Sequence, residues 1–397
     1  MKICIVMCWG FEKLDGSNLR VYFLLNELIG RNHDVTVVHS TEEQAEYTRR
    51  HFGCRSIGVG LKINRWDTVK EKMKSYYRFV MAARSAVSVI DCDVIFGISL
   101  INSMVVVSKK DAGKRIMYVD FMSRYFQYGY PDGLKNKMAF RMGKALEERT
   151  IRKADKVLMI TGALRNLVDG RYHEKIEIVP DGADTELFRP GLNSGVIRKE
   201  YNLKDEYIIG YQGGIEPHDG LQFLARTAPA ILKEAPATKF LVAGRGSYLD
   251  RIKQTVKDNG TQRSWIFTGW VDFKKIPYFM AATNLNVVPI PRHPATLGVI
   301  TFRLLESMAA GVSVVASDLP GIREVADETM IDFTHPEDTA RFANDVLRVM
   351  GKREEELERQ RAAARKRVER LDWRRVAEKD ADFVEGKKPG CCNPQMF

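Results

Sequence analysis

Residues 285–326 read LNVVPIPRHPATLGVITFRLLESMAAGVSVVASDLPGIREVA. The run at 285–289 has the valine-rich composition of a buried strand, and the apolar spacing at 301–310 is typical of a helix. A second strand is predicted at 312–316 and a further helix at 321–326. The glycine-containing loop between the first strand and the helix is where a ligand would approach the backbone. This alternation predicts an α/β fold.

The same alternation extends from this stretch toward both ends of the chain. In the second half, strands are predicted at 207–212, 239–243 and 265–268, and helices at 219–234, 247–259, 273–282 and 337–370. In the first half, strands are predicted at 2–7, 34–39, 93–98, 115–119 and 156–161, and helices at 19–30, 66–89 and 135–153. Strand, helix and strand in sequence imply parallel neighbours with right-handed crossovers. We therefore expect two Rossmann-like parallel-sheet domains that face each other across a cleft.

The length of 397 residues suits two domains of this kind. The polar segment 190–206, rich in Pro and Gly, is the natural linker. We expect a first domain at 1–190, a second at 191–370, and a tail at 387–397. A helix at about 371–386 is expected to pack back on the first domain.

Charge and cysteine content indicate the kind of binding partner and the cellular compartment. Lys and Arg exceed Asp and Glu by 62 to 51, a net charge of +11, which favours phosphate-bearing partners. The six cysteines include no C-x-x-C pair, which predicts a reducing, cytoplasmic compartment. The start of the chain is interpreted as a buried strand rather than a signal peptide, and the apolar stretch 94–107 is too short to span a bilayer. Membrane contact would thus be peripheral, at the inner face, and nucleic acid is not expected because no binding module is recognised.

Basic and aromatic residues interleave in two stretches of the first half, 61–90 and 124–144. Such stretches suit an interfacial helix on an anionic membrane surface, or an acceptor that carries phosphate. A solvated basic face explains them equally well.

The loop and helix start at 298–306 carry the clearest binding pattern. Backbone N–H groups of Gly298, Val299, Ile300 and Thr301 would lie where a helix start attracts phosphate oxygens. Arg303 in the first turn could add a charge to a diphosphate, and the Glu306 carboxylate could accept hydrogen bonds from ribose hydroxyls. An ordinary strand–loop–helix, with Glu306 as a cap or a surface acid, remains the alternative.

FRLLESMAAGVSVVASDLPGIREV (302–325) resembles the donor-site signature of family-4 retaining glycosyltransferases of the GT-B fold. IVPDGADTELFRP (178–190) is similar to the interdomain segment of that family, and YQGGIEPHDGLQFL (211–224) and FLVAGRG (240–246) are similar to the opening strands and turns of its second domain. The resemblance implies a hexosyltransferase-type enzyme whose second domain holds a nucleotide-sugar donor and whose first domain holds a glycan or lipid-linked acceptor. It implies retention of configuration, no metal and no cofactor besides the donor.

The resemblance also assigns site residues and shows departures. Glu306 falls on the ribose-binding Glu of the E-x7-E motif, but the first Glu position is Gly298. The turn Gly214–Gly220 carries Glu216, His218 and Asp219 where relatives often have Arg and Lys. The diphosphate is then left to Arg303, Arg245 and backbone amides, including Gly214.

The first domain supplies weaker matches. Gly16 and Ser17, in a loop before a helix, loosely match a small loop of the family that approaches the donor diphosphate, and a plain tight turn between strand and helix explains them equally well. Arg20 would either face the cleft or lay its chain along the surface. The segment 117–124 lacks the His that relatives often carry, so Asp120 is the candidate for orienting the acceptor or acting as base, with capping as its other explanation. Asp91-Cys92-Asp93 has the D-x-D form of a metal site, but we interpret it as a strand start.

Two other functions fit this scaffold. A nucleotide-sugar epimerase or hydrolase would use the same paired domains, although cleft candidates for acid–base chemistry are few. A non-catalytic relative that serves as a binding subunit would explain the missing Glu, His and Lys.

Overall fold

The computed structural model describes residues 1–12, 14, 18–63, 69–119 and 134–387. These residues form two compact units. Of the described residues, the first unit holds those within 1–119, 137–180 and 374–387, and the second holds 134–136 and 181–373.

The first unit is built on one parallel sheet, which has seven strands within the described ranges, in the order β3-β2-β1-β4-β5-β6-β7. The strands are β1 (Lys2–Val6), β2 (Asp34–His39), β3 (Arg55–Gly58), β4 (Val94–Ile98), β5 (Lys114–Val119), β6 (Lys156–Met159) and β7 (Ile176–Ile178). The helices between them are α1 (Leu19–Gly30), α2 (Glu42–Phe52), α3 (Val69–Ser88), α4 (Ser99–Val106), α5 (Leu134–Lys153) and α6 (Gly162–Arg165).

The order of the strands fixes the face on which each helix packs. The chain runs outward from β1 to β3, then returns past β1 to β4 and continues to β7. Because crossovers between parallel strands are right-handed, α1 and α2 cover one face, and α3, α4 and α5 cover the other. Cys4 and Val6 of β1 accordingly share a core cluster with Phe79 of α3 and Val105 of α4.

The second unit is a second parallel sheet, with six strands in the part described, in the order β10-β9-β8-β11-β12-β13. These strands are β8 (Ile208–Gly214), β9 (Lys239–Arg245), β10 (Trp265–Gly269), β11 (Leu285–Val288), β12 (Ser313–Ser317) and β13 (Asp332–Thr334). Its helices are α7 (Gly195–Glu200), α8 (Leu221–Glu234), α9 (Leu249–Asp258), α10 (Ile276–Ala281), α11 (Phe302–Ala310), α12 (Pro320–Arg323), α13 (Thr339–Met350) and α14 (Glu354–Glu369). One side of this sheet is covered by α8 and α13, whose Leu224, Ala228 and Phe342 are fully buried with Tyr211 and Val287 of the strands.

A last helix, α15 (Trp373–Glu385), continues the chain from the second unit into the first. From Arg374 onward its residues belong to the first unit. Asp380 of α15 forms an ion pair with Arg20 of α1, and Asp382 forms one with Arg31 at 2.6 Å. The expectation that Arg20 lays its chain along the surface is therefore wrong, because its side chain is only 4% exposed and is held by a buried carboxylate.

The predicted strands and helices are confirmed apart from their ends and a few short elements. The strands β3, β7 and β13 have four, three and three residues, too few for a periodic pattern to appear in the sequence. The segment 337–370 is helical as predicted and forms two helices, α13 and α14, with a break at 351–353. The predicted linker 190–206 contains α7, and Ile197 and Leu203 in it are buried in the core of the second unit. None of the helices in the described ranges is both long and apolar enough to cross a membrane.

Candidate active site

The candidate residues of the second unit lie at the carboxyl edge of its sheet. Gly214 ends β8, Arg245 ends β9, and the loop from Pro289 to Thr301 connects β11 to α11. In open parallel sheets this edge is where ligands bind. The structure thus places eight predicted residues on one edge: Gly214, Arg245, Gly298, Val299, Ile300, Thr301, Arg303 and Glu306.

Arg303 is fixed beneath the end of β8. Its Nε donates to the backbone oxygen of Gln212 at 2.5 Å, and its guanidinium carbon lies 3.7 Å from the centre of the Tyr211 ring. The Tyr211 hydroxyl in turn donates to the Gly214 oxygen at 2.6 Å. These contacts hold the guanidinium in one orientation.

The charge of Arg303 is buried and incompletely paired. The residue is 5% exposed, its Nη1 has no hydrogen-bond partner, and no carboxylate pairs with it among the described residues. A buried cation with no carboxylate at ion-pair distance is costly, and binding an anion would relieve that cost. Arg303 is therefore suited to hold an anionic group.

Glycines allow the backbone to pack closely around Arg303. Gly213 has a φ of +135°, and a Cβ there would lie 2.9 Å from Arg303 Nη2. A Cβ on Gly244 in β9 would lie 1.9 Å from the Gly213 oxygen. Neither position accepts a larger residue without movement of its neighbours, so the two strand ends are tightly seated against each other.

The acidic turn after β8 has a structural use. Glu216 accepts hydrogen bonds from the Ser247 N–H at 2.9 Å and from the Ser247 hydroxyl. Asp219 Oδ2 accepts from the Glu216 N–H at 3.0 Å and so closes the turn. These two acids stand where the resemblance leads us to expect Arg and Lys. Glu216 joins the loops that follow β8 and β9, and Asp219 holds the turn that presents Glu216.

Glu306 lies one turn into α11 and is 8% exposed. Burial raises the pKa of its carboxyl to about 8, and the nearby Arg303 opposes that rise. Within the part of the chain that the structure describes, its carboxyl accepts no hydrogen bond. Donors from a ligand, such as hydroxyl groups, would favour the ionised form and bind here.

The amino end of α11 completes this edge. Thr301 is the N-cap residue, but its side chain makes no capping bond, and its Oγ is buried without a partner in the described residues. Val299 and Ile300 are buried, at 7% and 4% exposure, so their backbone groups rather than their side chains are available to a ligand. The Gly321 N–H donates to the Leu297 oxygen at 2.8 Å and holds the loop in place.

Arg245 lies farther out than Arg303. It is exposed, and its guanidinium carbon lies 5.7 Å from the centre of the half-exposed Trp270 ring. This pair presents a cation and an aromatic face at the end of β9. Sequence reasoning missed Tyr211 and Gln212, since nothing in a strand pattern marks which residue will support a distant Arg.

The other predicted residues divide into two groups. Gly16, Ser17 and Asp120 lie outside the described residues. Asp91 pairs with Lys2 Nζ at 2.5 Å, and Asp93 accepts from the Lys2 N–H at 2.8 Å, so the D-x-D string joins the starts of β1 and β4. No cluster of three His, Cys, Asp or Glu side chains that could hold a metal occurs in the described ranges.

Family models account for most of the chain. Residues 206–352 match the model described as glycosyl transferases group 1, and residues 14–187 match that of glycosyltransferase family 4. The two matches follow each other along the chain as its two units do. The chain belongs to the family-4 glycosyltransferases.

Individual relatives are distant. A GDP-mannose-dependent alpha-(1-6)-phosphatidylinositol monomannoside mannosyltransferase of Mycobacterium tuberculosis is 25% identical over 215 residues, which is 53% of this chain and 56% of the relative. The aligned part thus spans little more than half the length of such curated relatives.

Solved structures show the fold over nearly the whole chain. Sucrose-phosphate synthase from Thermosynechococcus elongatus aligns with a TM-score of 0.78 at 19% identity, over 97% of this chain and 98% of its own. Anabaena HepE, solved with UDP and glucose, aligns with a TM-score of 0.74 at 16% identity, over 97% and 100%. The fold is that of two Rossmann-like parallel-sheet domains, as the sequence predicts.

Proposed function

We propose that this protein transfers a sugar from a nucleotide-sugar donor to a glycan or lipid-linked glycan acceptor, with retention of configuration and without a metal. The observation that carries the proposal is the buried Arg303 with an open donor, three residues before the buried Glu306. The family and the printed activity of the mycobacterial relative support it.

The donor would be held through its diphosphate and its ribose. Residues three apart on a helix lie on the same side, so Arg303 and Glu306 face one ligand. A ligand that satisfies both has an anionic group beside hydroxyl groups, as a nucleoside diphosphate does. An inorganic polyanion would satisfy Arg303 and would repel an ionised Glu306.

The reaction would draw on the same contacts. As the bond from the sugar to the diphosphate breaks, negative charge grows on the leaving group. Arg303 is already oriented by Gln212 and Tyr211, so it stabilises that charge without rearranging. The amino end of α11 adds the partial positive charge of a helix start.

The decisive experiment is product analysis. The protein is incubated with a panel of nucleotide sugars, with and without glycan and lipid-linked acceptors, and the products and their anomeric configuration are read by NMR. Transfer with the donor's configuration is expected. Free sugar alone would indicate a hydrolase, an isomerised donor would indicate an epimerase, and an inverted product would overturn retention.

A binding measurement covers the remaining alternative. A non-catalytic relative without a donor site would give no heat when titrated with GDP or UDP. Turnover after exhaustive chelation tests the absence of a metal requirement.

We also propose a cytoplasmic location. The cysteines at positions 4, 8, 54 and 92 form no disulfide in the described part of the chain. Burial raises the pKa of the Cys4 thiol to about 12, which keeps it protonated and unreactive. Export with periplasmic or extracellular recovery of the native protein would contradict this location.

A further inference from the structure

The outward sides of α3 and α5 in the first unit expose large apolar side chains. Ten such side chains are exposed in the described part of the protein, and five belong to these two helices. They are Met73, Tyr77, Met81, Met138 and Met142.

On α3 the exposed residues form a line. Met73, Tyr77 and Met81 are spaced by four, so they lie one above another on one side of the helix. Their exposed fractions are 58%, 68% and 48%. Phe79 and Ala83, on the other side, are buried against the sheet. The line is therefore not part of the core of this unit.

On α5 the pattern repeats. Met138 and Met142 are also spaced by four and are 55% and 60% exposed. Glu147, Thr150 and Ile151 are buried and mark the side of α5 that packs inward.

Both lines project from the same face of the sheet. The return of the chain past β1 places α3, α4 and α5 on one face, as the right-handed crossovers require. The shorter α4 lies beside α3 and packs over β4 and β5. The face thus presents the exposed apolar lines of α3 and α5.

Cations accompany these lines. Exposed basic residues outnumber the exposed acids Glu71 and Glu148 on the described parts of both helices. Glu148 is itself 3.6 Å from Lys144. The exposed basic residues are Lys74, Arg78, Lys137, Arg141, Lys144, Arg149, Arg152 and Lys153.

We propose that this face, defined by the outward sides of α3 and α5, binds an anionic lipid bilayer. Helices that lie in a membrane interface combine an apolar line with flanking Lys and Arg, and the cations pair with anionic headgroups. Met side chains are unbranched and adapt to irregular surroundings. The two helices would lie flat, with the five apolar side chains among the headgroups.

The charge pattern favours lipid over protein. Lys is depleted at the buried centres of protein interfaces, whereas this face surrounds its apolar residues with Lys and Arg. A second copy of the chain would bring like charges together. Lipid binding by this face is separate from the proposed sugar transfer and does not depend on which sugar is transferred.

Vesicle sedimentation tests the proposal. The intact protein is mixed with vesicles of phosphatidylcholine alone or with phosphatidylglycerol added, at low and at high salt. We expect binding to the anionic vesicles only, weakened by salt because screening shortens the reach of the charges. Equal binding to both kinds of vesicle, or none, would overturn the proposal.

Variants localise the surface. Met73→Gln, Tyr77→Gln and Met81→Gln together should abolish measurable binding, and Lys74→Gln or Arg78→Gln should each weaken it about fivefold at low salt. The matched control is Val196→Gln with Tyr278→Gln, which removes exposed apolar residues of the second unit and should leave binding unchanged. A triple variant that stays folded by circular dichroism and still binds like the wild type would refute this surface. Self-association through these residues without lipid would also refute it.

Discussion

Arg20 and Asp380 are 360 positions apart in the chain and form a bidentate ion pair in the interior of the first unit. Arg20 Nε and Nη2 donate to the two carboxylate oxygens at 2.7 and 2.6 Å, and the side chains are 4% and 1% exposed. Arg20 Nη1 also donates to the Val179 oxygen at 3.0 Å, and its guanidinium carbon lies 4.5 Å from the centre of the Tyr118 ring. One cation therefore connects α1, β5, the end of β7 and α15.

This pair predicts a large loss of stability in Asp380→Ala. Removing the carboxylate leaves a buried guanidinium without its counter-ion, which costs about 3–5 kcal/mol. Asp382→Ala is the matched control, because it removes a partner of Arg31 that is 32% exposed and should cost at most about 1 kcal/mol. Urea denaturation followed by circular dichroism measures both. Equal losses in the two variants would mean that burial of the Arg20 pair adds nothing.

Arg303→Ala should weaken the binding of GDP or UDP by at least about tenfold. A hydrogen bond to a charged group contributes about 1.5–3 kcal/mol. In the described residues no second buried cation is bonded to the Gln212 oxygen, so none would replace Arg303 there. The comparison is Arg226→Ala, an exposed arginine on α8. Isothermal titration calorimetry should show wild-type affinity for Arg226→Ala. Wild-type affinity for Arg303→Ala would remove Arg303 from the donor site.

Gly213→Ala should reduce nucleotide affinity through Arg303. The added Cβ would lie 2.9 Å from Nη2, and a φ of +135° is unfavourable for alanine, at a cost of order 1–3 kcal/mol. The Arg303 side chain must then shift, so affinity should fall along with thermal stability. Gly30→Ala is the control, since nothing lies within 4 Å of its Cβ position and its φ is ordinary. A Gly213→Ala protein that loses stability but binds GDP normally would show that the close packing serves the fold alone.

The sequence predicts the sheets well because their strands are apolar runs bounded by turns. It predicts the carboxyl edge of the second sheet for the same reason. Gly214 and Arg245 are the last residues of β8 and β9, and Arg303 lies in the first turn of α11, so the ends of these elements place all three. The support of Arg303 by Tyr211 is different: it depends on which side of β8 faces α11, and that is settled only by packing. The packing of the last helix on the first domain is expected from the sequence, but no local pattern indicates that it packs on α1 or that Asp380 pairs with Arg20.

The acidic turn after β8 shows a second limit. Glu216 and Asp219 occupy positions where a resemblance predicts cations, and sequence alone treats them as a departure from the phosphate clamp. In the structure their oxygens accept N–H and hydroxyl donors from Glu216 and Ser247. Residue type alone does not distinguish a side chain that accepts hydrogen bonds from the backbone from one that binds a ligand.

Glu306 predicts a pH dependence that is opposite in sign to the usual carboxylate case. Its pKa in the folded protein is about 8, above the ordinary value of 4.5, because its carboxyl is buried. Between these two values the unfolded chain has lost the proton and the folded chain keeps it, so the free energy of unfolding should fall as pH rises from 4.5 to about 8 and level off above that. Glu306→Gln has no proton to lose and should lack this contribution.

Nucleotide binding should show the complementary trend, since ribose hydroxyls donate to the ionised carboxylate of Glu306. The affinity of the wild type should therefore rise toward pH 8 relative to that of Glu306→Gln. Urea denaturation and calorimetry across this range measure the two trends, and the nucleotide's own phosphate ionisation cancels in the comparison. Parallel pH profiles for the wild type and Glu306→Gln would mean that Glu306 neither titrates in this range nor meets the ribose.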